Sequence, residues 1–158
     1  MARKKAEALP PLSETLLPAQ KGDVLELDEL WSFVGSKLNA RWVWIALCRQ
    51  TRQIVACFVG DRSADSARAL RQRIPPDYRC RATRSDLLLA YDEVFPRRTH
   101  RLCGKGQGET CYVERWNCTL RQRLGRFVRR TLSFSKAERM HTVALRLFVH
   151  HYNLSLAP

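Results

Sequence analysis

The sequence predicts an α/β protein in which a mixed β-sheet is flanked by helices. Three strand-like apolar segments follow one another in the first half of the chain, and the short connection between the second and third suits an antiparallel hairpin. The second half alternates helical and strand-like segments, an order typical of strands that join a sheet in parallel. The predicted sheet therefore has five strands, three antiparallel ones followed by two parallel ones.

Composition points to a nucleic-acid partner. The chain has 158 residues, which suits one domain with small extensions, and 45% of them are hydrophobic, enough for a core. The formal net charge of +13 favours binding to nucleic acid. Basic structural proteins tend to be poor in aromatic residues, whereas this chain has 4 Trp, 4 Tyr and 6 Phe.

Residues 1–22 are predicted to be a flexible leader, because they are basic and then rich in proline, and residues 23–158 to be one folded domain. The longest apolar run, residues 42–48, is far shorter than the roughly 18 residues that a membrane span needs. The basic start is followed by prolines and not by the apolar run of a signal peptide. We therefore expect no membrane association and a cytoplasmic protein.

The sequence predicts the bounds of each element in the first half of the chain. The three antiparallel strands are predicted over residues 24–33, 42–48 and 54–59. Ser63 can cap the N-terminus of a helix over residues 64–73, because its side chain can accept a hydrogen bond from the first turn. The pair Pro75 and Pro76 ends this helix.

The elements of the second half are shorter and more polar. We predict a fourth strand near residues 78–83, a helix over residues 87–94, a weak fifth strand over residues 98–102 and a last helix over about 136–152. The glycine-rich residues 104–110 are predicted to form a mobile connector. A phosphate-binding loop is the alternative, but the segment lacks the Gly-Lys-Ser/Thr ending of such loops.

A basic amphipathic helix follows this loop. Its buried stripe is predicted at Val113, Trp116, Leu120, Leu124 and Phe127, which recur at three- and four-residue steps. Glu114 is the only acid near its start, and no second acid occurs from residue 115 to residue 136. The predicted contacts to the DNA backbone are Arg115, Arg121, Arg123, Arg126, Arg129, Arg130 and Lys136. A solvated helix face is the alternative interpretation of these cations.

The six cysteines are predicted to be reduced structural thiols, because no pair of them has CxxC spacing. A zinc site is the weaker alternative. Its ligands would be His100, Cys103, Cys111 and Cys118, whose spacing matches no standard zinc finger.

Three acids are candidates for metal-dependent phosphodiester chemistry. Asp28 lies within an apolar strand, where a carboxylate is costly unless it is solvated or bound to a cation. Asp86 follows the fourth strand, and Glu114 heads the basic helix. Asp28 could instead be an edge residue with Glu29 pointing outward, Asp86 an N-cap, and Glu114 a helix-dipole partner. Taken together, a strand-borne acid, an acid after strand four and an acid on a long helix indicate a ribonuclease-H-like nucleotidyltransferase.

Four segments resemble transposases of the insertion sequence 1 family, and the resemblance extends over residues 24–155. They are residues 28–37 in the first strand, residues 113–123, residues 129–136 and the ending at 150–153. The resemblance implies a ribonuclease-H-like DDE catalytic domain in which Asp28, Asp86 and Glu114 bind two Mg²⁺ ions, with Mn²⁺ as a substitute. It implies cleavage of DNA strands at the element's ends and transfer of the freed 3′ ends into target DNA.

The resemblance also implies partners and auxiliary residues. Asn117 and Arg121 share the helix face of Glu114, and Arg121 could reach a phosphate near the acids. We expect double-stranded DNA, a homo-oligomer on DNA and a DNA-binding partner from an upstream reading frame. Leu88 stands where the family usually has an aromatic residue. This departure is the basis of one alternative, a decayed DNA-binding remnant. A separate alternative is a ribonuclease-H-like nuclease unconnected to transposition, which would hydrolyse DNA ends without joining them.

Overall fold

The computed structural model describes residues 1–104 and 106–156, and Lys105 of the glycine-rich loop lies outside them. A five-stranded sheet has the strand order β3-β2-β1-β4-β5. The first three strands are antiparallel, and β4 and β5 join β1 in parallel. The predicted ribonuclease-H-like α/β architecture is therefore confirmed. The strands are β1 (Val24–Val34), β2 (Ser36–Cys48), β3 (Ile54–Gly60), β4 (Ala82–Ser85) and β5 (His100–Leu102).

Helices cover both faces of this sheet. One apolar core lies between the sheet and α2 and α4, and a second lies between the sheet and α5 and α6. No helix in the described part of the chain combines the length and the apolar character that a membrane span requires. The α-helices are α1 (Ala2–Glu7), α2 (Ala64–Arg73), α3 (Pro76–Arg79), α4 (Leu89–Val94), α5 (Cys111–Arg123) and α6 (Glu138–Ser155), and 3₁₀ turns occur at Leu12–Thr15 and Gly125–Phe127.

The alternation of side chains along β1 determines which of its acids face which pair of helices. Leu25 and Leu27 belong to the core beneath α2 and α4, whereas Leu30 belongs to the core beneath α5 and α6. Because successive side chains of a strand point to opposite faces, Glu26 and Asp28 share the face of Leu30.

The parallel pairing of β1 with β4 is short. It runs from Val24 opposite Ala82 to Glu26 opposite Arg84, and β1 then continues alone for the rest of its length. The chain that leaves β4 therefore turns beside the unpaired edge of β1, and this places Asp86 near Asp28.

Two predicted strands begin four or more residues away from their observed starts, and the fifth begins at His100 because residues 97–99 form a turn. The fourth strand does not begin at Tyr78, because Pro76 starts the short helix α3 and the buried ring of Tyr78 packs into the core, with its hydroxyl donating to the Leu17 carbonyl. The second strand begins six residues before the predicted Trp42, because Gly35 adopts a φ of +74° and closes a tight hairpin with β1.

The predicted basic helix is shorter than its apolar stripe suggested. Helix α5 ends at Arg123, Leu124 is extended, and Gly125–Phe127 forms a 3₁₀ turn. Arg126, Arg129, Arg130 and Lys136 therefore lie on a largely irregular stretch, residues 124–137, which we call the basic segment. The physical reason is that Gly125 lacks helix propensity, while Phe127 is buried by the 3₁₀ turn.

Residues 1–22, predicted to be a flexible leader, contact the rest of the chain at several points. Ala6 is buried, His150 shares a hydrogen bond with the Pro10 carbonyl, and the Gln53 side chain accepts from the Leu17 N–H. The boundary at residue 22 and the flexibility of this segment stay predictions.

Candidate active site

Three carboxylates meet where β1 passes the end of β4. One oxygen each of Asp28, Glu29 and Asp86 lies within 4.8 Å of the others. Asp28 and Asp86 are half-buried, whereas Glu29 is buried. In the part of the chain that the structure describes, this is the one group of three or more His, Cys, Asp or Glu side chains that could hold a metal ion.

Burial and mutual repulsion disturb the ionisation of this group. The pKa of Asp28 is raised to about 7. Burial is the largest cause, and the negative charges of Glu29, Asp86 and Glu114 add to it. Burial also raises the pKa of Glu29, although hydrogen bonds from Arg62 oppose the shift. A cation at this point would favour the ionised carboxylates, and hard oxygen donors are the ligands that Mg²⁺ prefers. The donor set therefore fits a divalent metal ion.

Glu29 is the member of this group that the sequence did not identify. It does not point outward: its carboxylate accepts from Arg62 Nη2 at 2.7 Å and from the Tyr91 hydroxyl at 3.0 Å. The signal in the sequence was the density of acids in β1, where Glu26, Asp28 and Glu29 occur within four residues.

Asp86 follows β4 directly and turns the chain toward α4. Its Oδ1 accepts the N–H of Leu88 at 3.0 Å, while Leu88 itself is the N-cap residue of α4. Asp86 is therefore not the N-cap residue, and its carboxylate lies beside those of Asp28 and Glu29.

Glu114 lies in the first turn of α5 and lines the same cleft. The cleft has a volume of about 380 Å³ and is also lined by Asp28, Asp86 and the glycine-rich loop. The carboxylate of Glu114 is exposed, accepts from the Thr110 hydroxyl at 2.7 Å and does not belong to the group within 4.8 Å.

Two side chains on the Glu114 face of α5 turn toward β1. Asn117 is buried and donates from Nδ2 to Asp28 Oδ2 at 2.6 Å. Arg121 is half-buried, and no hydrogen-bond acceptor among the described residues faces its Nε. Burial first, and then the charge of Arg129, lowers the pKa of the Arg121 guanidinium.

A second buried acid, Glu26, fixes the start of α5. Its Oε2 accepts the backbone N–H groups of Tyr112 and Val113 at 2.9 and 3.0 Å, and its Oε1 accepts from Arg49 at 2.8 Å. A buried anion at a helix N-terminus is favoured by the unpaired N–H groups and the helix dipole. Glu26 therefore sets the position of Glu114 relative to Asp28, and sequence reasoning did not single it out.

The predicted DNA-binding cations differ in their exposure. Arg126 is half-buried and donates to the Ser135 hydroxyl at 3.5 Å, so part of its function is to hold the basic segment. The exposed cations are Arg115, Arg123, Arg129, Arg130 and Lys136.

The alternative zinc site finds little support in the described residues. All six cysteines are free thiols. His100 is engaged by the hydroxyls of Thr83 and Ser85, and it forms no potential metal-binding group with Cys103, Cys111 or Cys118.

Comparisons with known proteins identify the family of the chain. The family model described as IS1 transposase matches residues 24–154. The chain is 34% identical over 129 residues to the insertion element iso-IS1n protein InsB of Shigella dysenteriae, covering 82% of this chain and 95% of that protein. It is 32% identical over 133 residues to the insertion element IS1 4 protein InsB of Escherichia coli strain K12, covering 80% of this chain and 75% of that protein. The chain therefore belongs to the IS1 transposase family.

Proposed function

We propose that this protein cleaves DNA strands at the ends of an insertion element and transfers the freed 3′ ends into target DNA by a DDE-type reaction. The observation that carries the proposal is the approach of Asp28, Glu29 and Asp86 to within 4.8 Å of one another, in a cleft that Glu114 also lines. Three acids, two on β1 and one after β4, are costly to gather unless a cation compensates them.

The catalytic acids in this proposal are Asp28, Asp86 and Glu114. Two Mg²⁺ ions held by them, or Mn²⁺ in their place, would activate the attacking oxygen and stabilise the leaving oxygen. Asn117 orients the Asp28 carboxylate through its 2.6 Å hydrogen bond. The partly buried guanidinium of Arg121 would neutralise a phosphate beside the acids.

The exposed cations of α5 and the basic segment would hold the DNA backbone. Arginine and lysine contacts to phosphate give affinity but carry no sequence information. Recognition of the element's ends would therefore come from a further DNA-binding portion, such as an upstream-frame partner. Assembly on two paired ends would need more than one copy of the chain, and binding to chromosomal DNA would place the protein at the nucleoid.

A cleavage and joining assay tests the proposal. The wild-type chain is incubated with Mg²⁺ or Mn²⁺ and DNA that carries the ends of its own element, and with pre-nicked ends plus a target plasmid. Asp28→Asn, Asp86→Asn and Glu114→Gln should each lower nicking and joining about 100-fold or more, the size of effect seen when a charge-stabilising group is lost. The matched control is Asp65→Asn, an exposed acid on α2 outside the cleft.

The outcomes separate the alternatives. Equal nicking by the wild type and the three cleft variants would overturn the catalytic proposal and leave a DNA-binding remnant, an alternative favoured by the distance of Glu114 from the group of three acids. Nicking of ends without joining of pre-nicked ends would indicate a nuclease.

A further inference from the structure

A second binding surface lies beside the acids, on the part of β1 and β2 that extends beyond β4. It is a groove of about 400 Å³, which we call the tryptophan groove, lined by Trp31, Lys37, Trp42, Arg129 and Arg130. The groove contains two aromatic side chains and three cations, and no acid lines it in the part of the chain that the structure describes.

The two tryptophans are placed side by side by the sheet. Trp31 on β1 pairs directly with Trp42 on β2, so their side chains share one face of the ladder. Both are half-buried, whereas Trp44 and Trp116 are buried in the cores. Trp42 packs at the edge of the core beneath α2 and α4, whereas Trp31 belongs to neither of the two core clusters and its ring lies 5.6 Å from that of Phe33.

Two of the three groove cations, Arg129 and Arg130, belong to the basic segment, which contacts β1. Ser135 forms a bridge to Val34 at the end of β1, and its carbonyl accepts the Gly35 N–H at 2.8 Å. The Phe134 ring lies 5.7 Å from that of Phe33. These contacts fix the segment that carries Arg129 and Arg130 against the strand that carries Trp31.

The charges of the groove are uncompensated within the protein. Within residues 1–104 and 106–156, no ion pair engages Lys37, Arg129 or Arg130. The ligand must therefore supply negative charge, and the two indole rings favour a flat aromatic group. A nucleotide combines both features, because its base can stack on an indole while its phosphate pairs with arginine.

We propose that the tryptophan groove binds an unpaired nucleotide of the DNA strand that lies beside the acids. Trp31 follows Glu29 by two residues on β1, so the two share one face about 7 Å apart along the strand, while Asp28 points to the other face. A base inside a duplex is stacked on both sides and cannot reach an indole face, so the groove favours single-stranded over double-stranded DNA. The identity of the ligand as DNA rests on the proposed function, whereas the preference for an unpaired base rests on the groove.

Binding of short DNA in EDTA tests this proposal without cleavage. The probes are an oligothymidylate of roughly 12 nucleotides, a duplex of the same length and an oligouridylate. The oligothymidylate should quench the tryptophan fluorescence of the wild type. Trp31→Leu should weaken its binding about tenfold or more while changing duplex binding less than about twofold, since stacking on an aromatic ring acts on unpaired bases.

Two further variants test whether a loss of binding in Trp31→Leu comes from the loss of an aromatic face in the groove. Trp31→Phe keeps an aromatic face and should retain most of the affinity for oligothymidylate. Phe58→Leu is the matched control. Phe58 is an aromatic residue with Arg73 4.5 Å from its ring, but it lies outside the groove. Its binding should equal that of the wild type.

A Trp42→Phe protein provides an independent measurement if Trp31→Leu does not fold. Trp31 is then the one half-buried tryptophan, and oligothymidylate should still quench its fluorescence. Absence of quenching, equal losses for single-stranded and duplex DNA in Trp31→Leu, or tighter binding of oligouridylate would each overturn the proposal. Quenching in a protein that does not nick DNA would support the groove and reject the catalytic proposal alone.

Discussion

Asn117 on α5 donates a 2.6 Å hydrogen bond from its side-chain amide to the carboxylate of Asp28 on β1. This contact joins the helix of Glu114 to the strand of Asp28. Hydrogen bonds to charged groups are worth about 1.5–3 kcal/mol, and leaving a buried carboxylate without its donor removes that amount. The contact therefore contributes both to the fold and to the orientation of Asp28.

Replacing Asn117 by Ala should lower the free energy of unfolding by about 1.5–3 kcal/mol in metal-free buffer above pH 8, where Asp28 is ionised. Urea unfolding measures this change. Thr119→Ala on the same helix is the control, because its hydroxyl donates only to the Arg115 carbonyl at 3.2 Å. A loss no larger than that of Thr119→Ala would show that the amide does not support the carboxylate.

Much of the fold could be predicted from local patterns. Apolar segments located the first three strands, and the Ser63 cap with the Pro75–Pro76 stop gave α2 its observed bounds. The end of α5 could not be predicted from periodicity, because Phe127 continues the apolar spacing although the chain leaves the helix at Leu124. A 3₁₀ turn that buries Phe127 is compatible with the same apolar spacing as a longer helix.

The site was predictable only in part. Asp28, Asp86 and Glu114 were chosen from the family resemblance and the expected topology, and they do line one cleft. Glu26 and Glu29 were missed because their partners, Arg49 and Arg62, come from distant segments. A sequence pattern shows which face a strand residue occupies, but not which guanidinium covers it.

Glu26 should be one of the largest single contributors to stability near the site. Its carboxylate is fully buried and bonded to Arg49 and to two N–H groups of α5. Glu26→Ala should lower the free energy of unfolding by about 3–5 kcal/mol, because it leaves buried partners uncompensated. Glu26→Gln keeps an acceptor and should cost less.

The control for Glu26 is the other acid that binds Arg49. Glu109 pairs with Arg49 at 2.9 Å but is much less buried than Glu26, so Glu109→Gln should change the free energy of unfolding far less than Glu26→Ala. Chemical denaturation of the three variants under identical conditions gives the comparison. Similar losses for Glu26→Ala and Glu109→Gln would mean that α5 is not held by the buried carboxylate.

Divalent cations should stabilise the folded protein through the three acids. At a Mg²⁺ concentration about 100 times the dissociation constant, the gain should be about 2.7 kcal/mol. Asp28→Asn and Asp86→Asn should lose most of this gain, whereas Asp65→Asn should keep it. Thermal unfolding with increasing Mg²⁺ measures the effect, and an undiminished gain in Asp28→Asn would place the bound ion elsewhere.

The exposed cations should determine how DNA binding depends on salt. Arg129→Gln and Arg130→Gln should each flatten the plot of log affinity for duplex DNA against log salt by about 0.9 if they contact one phosphate. Arg126→Gln should flatten it less, because its guanidinium already donates to Ser135. Arg97→Gln, an exposed arginine paired with Asp92, is the control. Unchanged slopes for Arg129→Gln and Arg130→Gln would remove the basic segment from the DNA interface.

His141 should make stability depend on pH. Its Nδ1 lies 2.8 Å from the Ser135 hydroxyl and its ring 4.4 Å from that of Phe127, and burial, followed by the charge of Arg126, lowers its pKa to about 4. The unfolded chain has an ordinary histidine pKa near 6.5, so between these values the unfolded state binds a proton that the folded state does not. This contribution to stability is therefore complete above about pH 6.5 and decreases as the pH falls toward 4, by up to about 1.4 kcal/mol per pH unit.

A glutamine at position 141 cannot take up this proton, so His141→Gln isolates the effect. The wild type should exceed His141→Gln in free energy of unfolding by more at about pH 7.5 than at about pH 5, because only the wild type loses the His141 contribution on acidification. His100 also has a pKa lowered to about 4 by burial, but it is present in both proteins and cancels in the difference. Urea unfolding at the two pH values measures both proteins. An equal difference at both would mean that His141 ionises normally in the folded chain and that the basic segment leaves it open to water.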